Sequence, residues 1–236
     1  MRNFVFLPNK NCILMAQKGI LTVMTLFSDI YPEEGFCPDG AVKLDFTDLP
    51  GTECYCDPDA LRTLRGRLAP LPARALHWID GGDYHYLSKL WMEKLETPFT
   101  LVLFDRHSDN QPGAFGEGLL SCGDWVAASM RDNPFHRHTV WIQAPGDPLP
   151  PQEGPVYLSI DKDILSTDYA RTNWDQGTMS LSELKDRISQ IAARVSILGI
   201  DVCGGLAVSK GARPEDIAIN RRTDEELQDF LLSLQN

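Results

Sequence analysis

The sequence predicts an α/β fold in which a mostly parallel sheet is covered on both faces by helices. From residue 57 onward, apolar runs of strand length alternate with longer runs whose apolar residues recur at helical spacing. The strand-like runs, such as Leu101-Val102-Leu103-Phe104, are apolar without alternation, so both of their faces must be covered. The 236 residues are 43% hydrophobic, enough for one sizeable core, and no repeat period suggests a solenoid. One domain spanning residues 1–236 is expected, with an irregular part over 1–56 and a core over 57–236.

Residues 1–56 are interrupted by Pro8, Pro32, Pro38 and Pro50 and by several glycines, and read as short strands and loops. Asp57 can cap a helix that has Pro58 in its first turn and Leu61, Leu64 and Leu68 along one side. Beyond it, strands are expected at Ala75 to Ile79, Thr100 to Phe104, Thr139 to Gln143, Val156 to Ile160 and Val195 to Ile200. Helices are expected at Tyr86 to Leu95, Gly123 to Arg131, Leu181 to Arg194 and Glu225 to Leu234.

The net charge of -11, with no Lys/Arg block, argues against nucleic acid and anionic membrane as partners. Pro8, Asn9, Lys10 and Asn11 interrupt any signal-peptide pattern, and the apolar run from Gly19 to Phe27 is about half the length a bilayer span needs. A cytoplasmic protein with reduced thiols at Cys12, Cys37, Cys54, Cys56, Cys122 and Cys203 follows. Cys54 and Cys56 form a C-x-C pair, but no second pair nearby completes four metal ligands.

In parallel sheets the chemistry sits beyond the carboxyl ends of the strands. Three expected strands run into Asp and His there: Asp80, Asp83 and His85; Asp105, His107 and Asp109; Asp161 and Asp163. Read as extended chain, Asp105, His107 and Asp109 share one face, as do Asp161 and Asp163, while Lys162 turns aside. Four carboxylates would bring -4 into a crevice walled by apolar strands, a cost that two divalent ions, +4 together, would remove. Oxygen-rich ligation with one or two imidazoles and no thiolate suits Mn²⁺, with Fe²⁺, Co²⁺, Ni²⁺ or Zn²⁺ as alternatives.

These segments resemble the metal motifs of the arginase and agmatinase family, the ureohydrolases. Asp105-Arg106-His107-Ser108-Asp109 is similar to D-x-H-x-D, and Ser159-Ile160-Asp161-Lys162-Asp163 to S-x-D-x-D. Gly81-Gly82-Asp83-Tyr84-His85 looks like G-G-D-H with one residue inserted, and residues 177–183 resemble the helix start that follows. The resemblance implies a three-layer α/β/α fold and a two-manganese centre. Asp105 and Asp161 would bridge the ions, His107 and Asp163 would complete one site, and His85 and Asp109 the other. A metal-bridging hydroxide would then hydrolyse a linear C–N bond in a guanidino, amidino or amide compound.

The chain departs from that pattern at two places that matter for substrate and proton transfer. The family's proton-shuttling His-Gly is replaced by Cys122-Gly123, with Asp124 beside it as a substitute. Gly204 stands where the family places a guanidinium-gripping Glu, so arginine is not the expected substrate. Asn173, Trp174, Asp175 and Gln176 are candidate substrate-wall residues for a small molecule, and self-association into a homo-oligomer is left open. Three other readings compete: a two-metal phosphoesterase, a metal-binding relative without turnover, and a single-zinc deacetylase, whose tandem His-His is missing here.

Overall fold

A computed structural model describes residues 20–150 and 153–234; the expectations for Cys12 and for Pro8 to Asn11 lie outside them. Seven strands form one all-parallel sheet in the order β2-β1-β4-β9-β8-β5-β7. They are β1 (Thr22–Leu26), β2 (Val42–Asp45), β4 (Leu76–Trp78), β5 (Phe99–Phe104), β7 (His136–Ile142), β8 (Val156–Asp161) and β9 (Ile197–Cys203). The short strands β3 (Tyr55–Cys56) and β6 (Leu120–Ser121) pair antiparallel in a separate ribbon. The helices are α1 (Ile30–Glu34), α2 (Pro58–Leu68), α3 (Leu87–Met92), α4 (Trp125–Asp132), α5 (Leu181–Ala192) and α6 (Pro214–Ser233).

The unbroken apolar character of the central strands has the predicted cause. Leu101 and Leu103 of β5 pack into one buried cluster with Leu64 and Leu68 of α2, Leu87 and Leu90 of α3, and Trp125 and Val126 of α4. Val102 and Phe104 of the same strand face the opposite way, into a cluster with Ile30 of α1, Leu184 and Ile188 of α5 and Leu227 and Leu231 of α6. The result is a three-layer α/β/α arrangement whose sheet is buried on both sides.

The caps are those the sequence announces. Asp57 accepts from the N–H groups of Asp59 and Ala60, and Ser180 forms a capping box with Glu183. Two differences stand out. Part of the stretch expected as irregular, Thr22 to Asp45, supplies β1 and β2 of the main sheet. The last helix begins at Pro214, eleven residues before the expected Glu225, because its first half buries Asp216, Asn220, Thr223 and Asp224 where an apolar stripe would normally lie.

Those buried polar residues have partners. Asn220 exchanges hydrogen bonds with the Arg171 backbone, and Asp216 accepts from Arg171 Nε at 3.0 Å. Lys162, fully buried, is hydrogen-bonded to Asp224, also fully buried. Glu34 belongs to the same cluster; burial first, and then the neighbouring Asp224, lifts its carboxyl to about 9. At neutral pH Glu34 is therefore neutral, and the buried charge balances as one ammonium against one carboxylate. Among the described residues no helix is long and apolar enough to cross a membrane.

Candidate metal centre

The register of the sheet brings the motif residues together. Phe104 of β5 pairs with Ile160 of β8, so Asp105 and Asp161 leave the sheet side by side. On the other side of β8, Asp161 pairs with Cys203 of β9, and β9 pairs with β4, which leads to His85. The site thus lies beyond the carboxyl ends of four adjacent strands, β4-β9-β8-β5.

Among the described residues three groups of potential ligand atoms result, and two of them share Asp105. In one, His85, Asp105 and Asp109 have their ligand atoms within 4.8 Å of one another; in the other, Asp105, His107 and Asp163 do. His85 Nδ1 lies 3.0 Å from Asp109 Oδ2, 3.2 Å from Asp105 Oδ2 and 3.6 Å from Asp161 Oδ2. His107 Nδ1 lies 2.7 Å from Asp163 Oδ2.

The convergence does not come from strand parity. The chain after Phe104 turns, and Asp109 has φ 47°, a left-handed conformation that folds its carboxylate back toward Asp105. Asp163 sits in a 3₁₀ turn, Lys162–Ile164, whose first residue sends its side chain down to Asp224. Another 3₁₀ turn, Gly82–Tyr84, absorbs the residue inserted before His85. It turns Tyr84 onto Phe27, with ring centroids 4.3 Å apart, and returns His85 to the centre.

The donor set fits divalent cations. His85 Nδ1 and Asp105 Oδ2 are buried without a hydrogen-bond partner, the condition of atoms reserved for a ligand. Ser159 Oγ donates to Asp201 Oδ1 at 2.6 Å, so it accepts from His85 Nε2 at 2.8 Å. With its Nε2 protonated, a neutral His85 presents the Nδ1 lone pair to the cluster, its ring held by the Ser159 hydroxyl, which Asp201 orients in turn.

Electrostatics give the same answer. Burial, then Asp109 and Asp163, push the Asp105 carboxyl well above the ordinary range, and burial together with Asp163 lifts Asp161 to about 7. Burial opposes a charged His85, but Cys203, Asp105 and Asp109 outweigh it and hold its pKa well above the usual value. Carboxylates crowded together in a buried site repel one another, and positive charge placed among them relieves that repulsion.

The cavity over this cluster has a volume of about 390 Å³ and is bordered by Arg106, Phe115, Cys122, Trp141 and Trp174 as well as the aspartates. Of the four residues expected in the substrate wall, Trp174 borders it, held by donation from its indole N–H to Asp83 at 3.0 Å. Asn173 is tied to the same carboxylate at 3.2 Å. Gln176 donates to the carbonyls of Leu165 and Ala170, and Asp175 is exposed; neither borders the cavity.

Asp124, expected to assist proton transfer, faces elsewhere: it accepts from Ser121 N at 2.7 Å and borders a different cavity with Arg65, Lys89 and Arg131. Cys122 does reach the cavity wall, but burial and the nearby Asp109 push its thiol pKa up, which unfits it for proton shuttling. Gly204 has a steric reason for being glycine. At φ +92° a Cβ there would lie 2.4 Å from Asp161 Oδ1, so no side chain fits.

Sequence reasoning missed four contributors. Trp125 donates its indole N–H to Asp109 Oδ2 at 2.6 Å; Ser159 and Asp201 steady His85; Cys203 donates its thiol proton to Asp161 Oδ2 at 3.1 Å. Asp201 and Cys203 were findable, since they continue β9 with the parity of Ser159 and Asp161 on β8. Trp125 carries no sequence signal beyond an ordinary helical apolar position.

No protein-family model matches the chain. An uncharacterised protein of Thermotoga maritima is 32% identical over 146 residues, 54% of this chain and 56% of that relative, so the match spans little more than half of the relative's length. Among solved structures, the arginase of Medicago truncatula matches with a TM-score of 0.62 at 13% identity, over 94% of this chain and 91% of the other. This chain has the arginase fold. The proclavaminate amidino hydrolase of Streptomyces clavuligerus matches with a TM-score of 0.60 at 17% identity, covering 92% of each chain. The agmatine ureohydrolase of Thermoplasma volcanium gives 0.61 at 11%, over 93% and 91%. Within the arginase fold, the candidate ligands here stand beyond the strand ends at the centre of the sheet.

Proposed function

We propose that the chain is a binuclear-metal hydrolase of linear C–N bonds in a small guanidino, amidino or amide compound. The observation that carries this reading is the pair of ligand groups joined through Asp105, with the unpartnered Nδ1 of His85 aimed into one of them. Structural neighbours named arginase, agmatine ureohydrolase and proclavaminate amidino hydrolase support the reaction class.

His85 and Asp109 would hold one cation, His107 and Asp163 the other, with Asp105 and Asp161 between them. When bound, two divalent cations supply a nucleophile from water near neutral pH and offset the negative charge that develops during attack. The oxygen and imidazole donors suit Mn²⁺, with Fe²⁺, Co²⁺, Ni²⁺ and Zn²⁺ accommodated. Asp109 borders the cavity and has Oδ2 held by Trp125, which makes it the carboxylate placed to take up a proton. Trp174 and Trp141 wall the cavity; the Trp141 indole is fixed by donation to the Asp105 carbonyl at 2.8 Å. A cytoplasmic setting with reduced thiols belongs to the same reading, and the five cysteines among the described residues are free.

The cavity also limits the substrate. Each carboxylate bordering it belongs to the ligand cluster, Arg106 adds a cation, and Gly204 offers no side chain. A guanidinium tail therefore finds no free acid to pair with. Assay of the metal-loaded protein on a panel of guanidino, ureido, amidino and amide compounds should find turnover of at least one member. Arginine should be slower than the best substrate by on the order of 100-fold or more. Efficient urea release from arginine would contradict the substrate reading, and an inert panel with both metals bound would count against hydrolysis.

A further inference from the structure

We propose that Cys203 is a metal ligand, supplying a thiolate to the cation held by His85 and Asp161. The inference rests on the binuclear reading above and changes its chemistry, because the motif residues alone offer oxygen and imidazole donors only.

Three observations point to it. The strand register sets Cys203 of β9 directly beside Asp161 of β8, at the end of the sheet where the cluster begins. The ligand atoms of His85, Asp161 and Cys203 lie within 4.8 Å of one another, and all three residues are buried. At ordinary metal–nitrogen and metal–sulfur distances two donors on one cation lie roughly 3 to 4 Å apart, a spacing that donors already within 4.8 Å of one another approach. The second donor of the group, His85 Nδ1, is completely buried and has no hydrogen-bond partner.

Another role would be for the thiol to steady Asp161 by donating a hydrogen bond, as it does at 3.1 Å. The two roles are sequential. With Sγ as a ligand, the thiol proton now shared with Asp161 Oδ2 would leave to solvent, and that oxygen would be free to serve the metal as well. The cost of extracting this proton falls on the cation, as in other thiolate sites.

A thiolate alters metal preference. Sulfur is a soft donor, and its presence favours Co²⁺, Fe²⁺ and Zn²⁺ over Mn²⁺ relative to an all-oxygen and imidazole set. The two positions of the centre then differ: the His107 and Asp163 side keeps hard donors, and the His85 side takes the softer ion.

Cobalt substitution of the full-length protein tests this without recourse to activity. Ligand-field absorption in the visible reports that Co²⁺ is bound, and a sulfur-to-cobalt charge-transfer band in the near ultraviolet reports a thiolate on it. The wild type should show both. Cys203→Ser, its fold checked by circular dichroism, should keep visible absorption and lose the near-ultraviolet band, while Cys54→Ala and Cys122→Ala should retain that band. Bound cobalt without the band in the wild type, or a band that survives in Cys203→Ser, would overturn the assignment while leaving the binuclear reading intact. Failure of the wild type to bind cobalt, manganese or zinc would overturn both. Should Cys203→Ser not fold, Cys203→Ala takes its place, and a wild type that binds cobalt without the band overturns the assignment by itself.

Discussion

Asp161→Asn is expected to remove bound metal and turnover together, while Asp124→Asn keeps both. Asp161 ends β8 in the middle of the cluster, with Oδ2 facing His85 and Cys203 and Oδ1 accepting from Asp163 N at 2.9 Å. The amide replaces an anionic oxygen pair by one weak neutral donor and removes charge on which two cations depend. Turnover should fall by on the order of a thousandfold or more, as expected when a metal-held nucleophile is lost. Asp124 borders a different cavity and serves the turn at Ser121, a contact that asparagine can still accept. Its variant should retain metal and turnover within about threefold of wild type, since the amide oxygen still accepts the Ser121 N–H and no proposed ligand is lost. Elemental analysis and steady-state assays of both variants, with the fold confirmed by circular dichroism, make the comparison; an Asp161→Asn protein with two metals and near-normal turnover would refute the bridging role.

The largest effect on stability is expected from Lys162→Met. Its ammonium sits opposite Asp224 with no exposure, and Glu34, neutral at pH 7, cannot substitute for it. Removal of one partner of a buried pair typically costs about 3 to 5 kcal/mol, or roughly 6 to 20 °C in melting temperature for a chain of this size. The double variant Lys162→Met with Asp224→Leu should recover much of that loss, because no uncompensated charge remains. Thermal unfolding in the presence of a chelator separates this effect from any change in metal binding. A single variant that melts within about 2 °C of wild type would mean that the pair is dispensable.

The fold was legible wherever apolar pattern and burial coincide. β5 and β8 are buried along their whole length and were read within one residue at each end. β1 falls within a stretch read only as short strands and loops, and its place in the main sheet was not legible because Thr22 and Thr25 lie within it and the prolines and glycines that follow suggest loops. The start of α6 escaped for the opposite reason: its inward face is polar, and Asp216, Asn220, Thr223 and Asp224 look like a solvated surface until Arg171 and Lys162 are seen across from them.

In the site, residue types and strand ends were readable, but the route to convergence was not. Alternation along a strand would have placed Asp105, His107 and Asp109 on one face; the backbone instead turns through a left-handed Asp109. Asp83, the acid that the G-G-D motif brings forward, serves as an anchor: it accepts from Trp174, Asn173 and Lys210 and so holds the cavity wall. Asp80 likewise accepts from the Phe27 and Ser28 N–H groups and ties β4 to the loop after β1. Such assignments depend on partners distant in sequence, as Lys210 is from Asp83, and no local spacing announces them.

Metal stoichiometry tests the binuclear reading most directly. Purified protein loaded with manganese or cobalt, freed of unbound ion and measured by elemental analysis alongside protein concentration, should hold about two divalent ions per chain. Protein that retains no ion after loading with either metal, yet gives the circular dichroism of a folded chain, would contradict it.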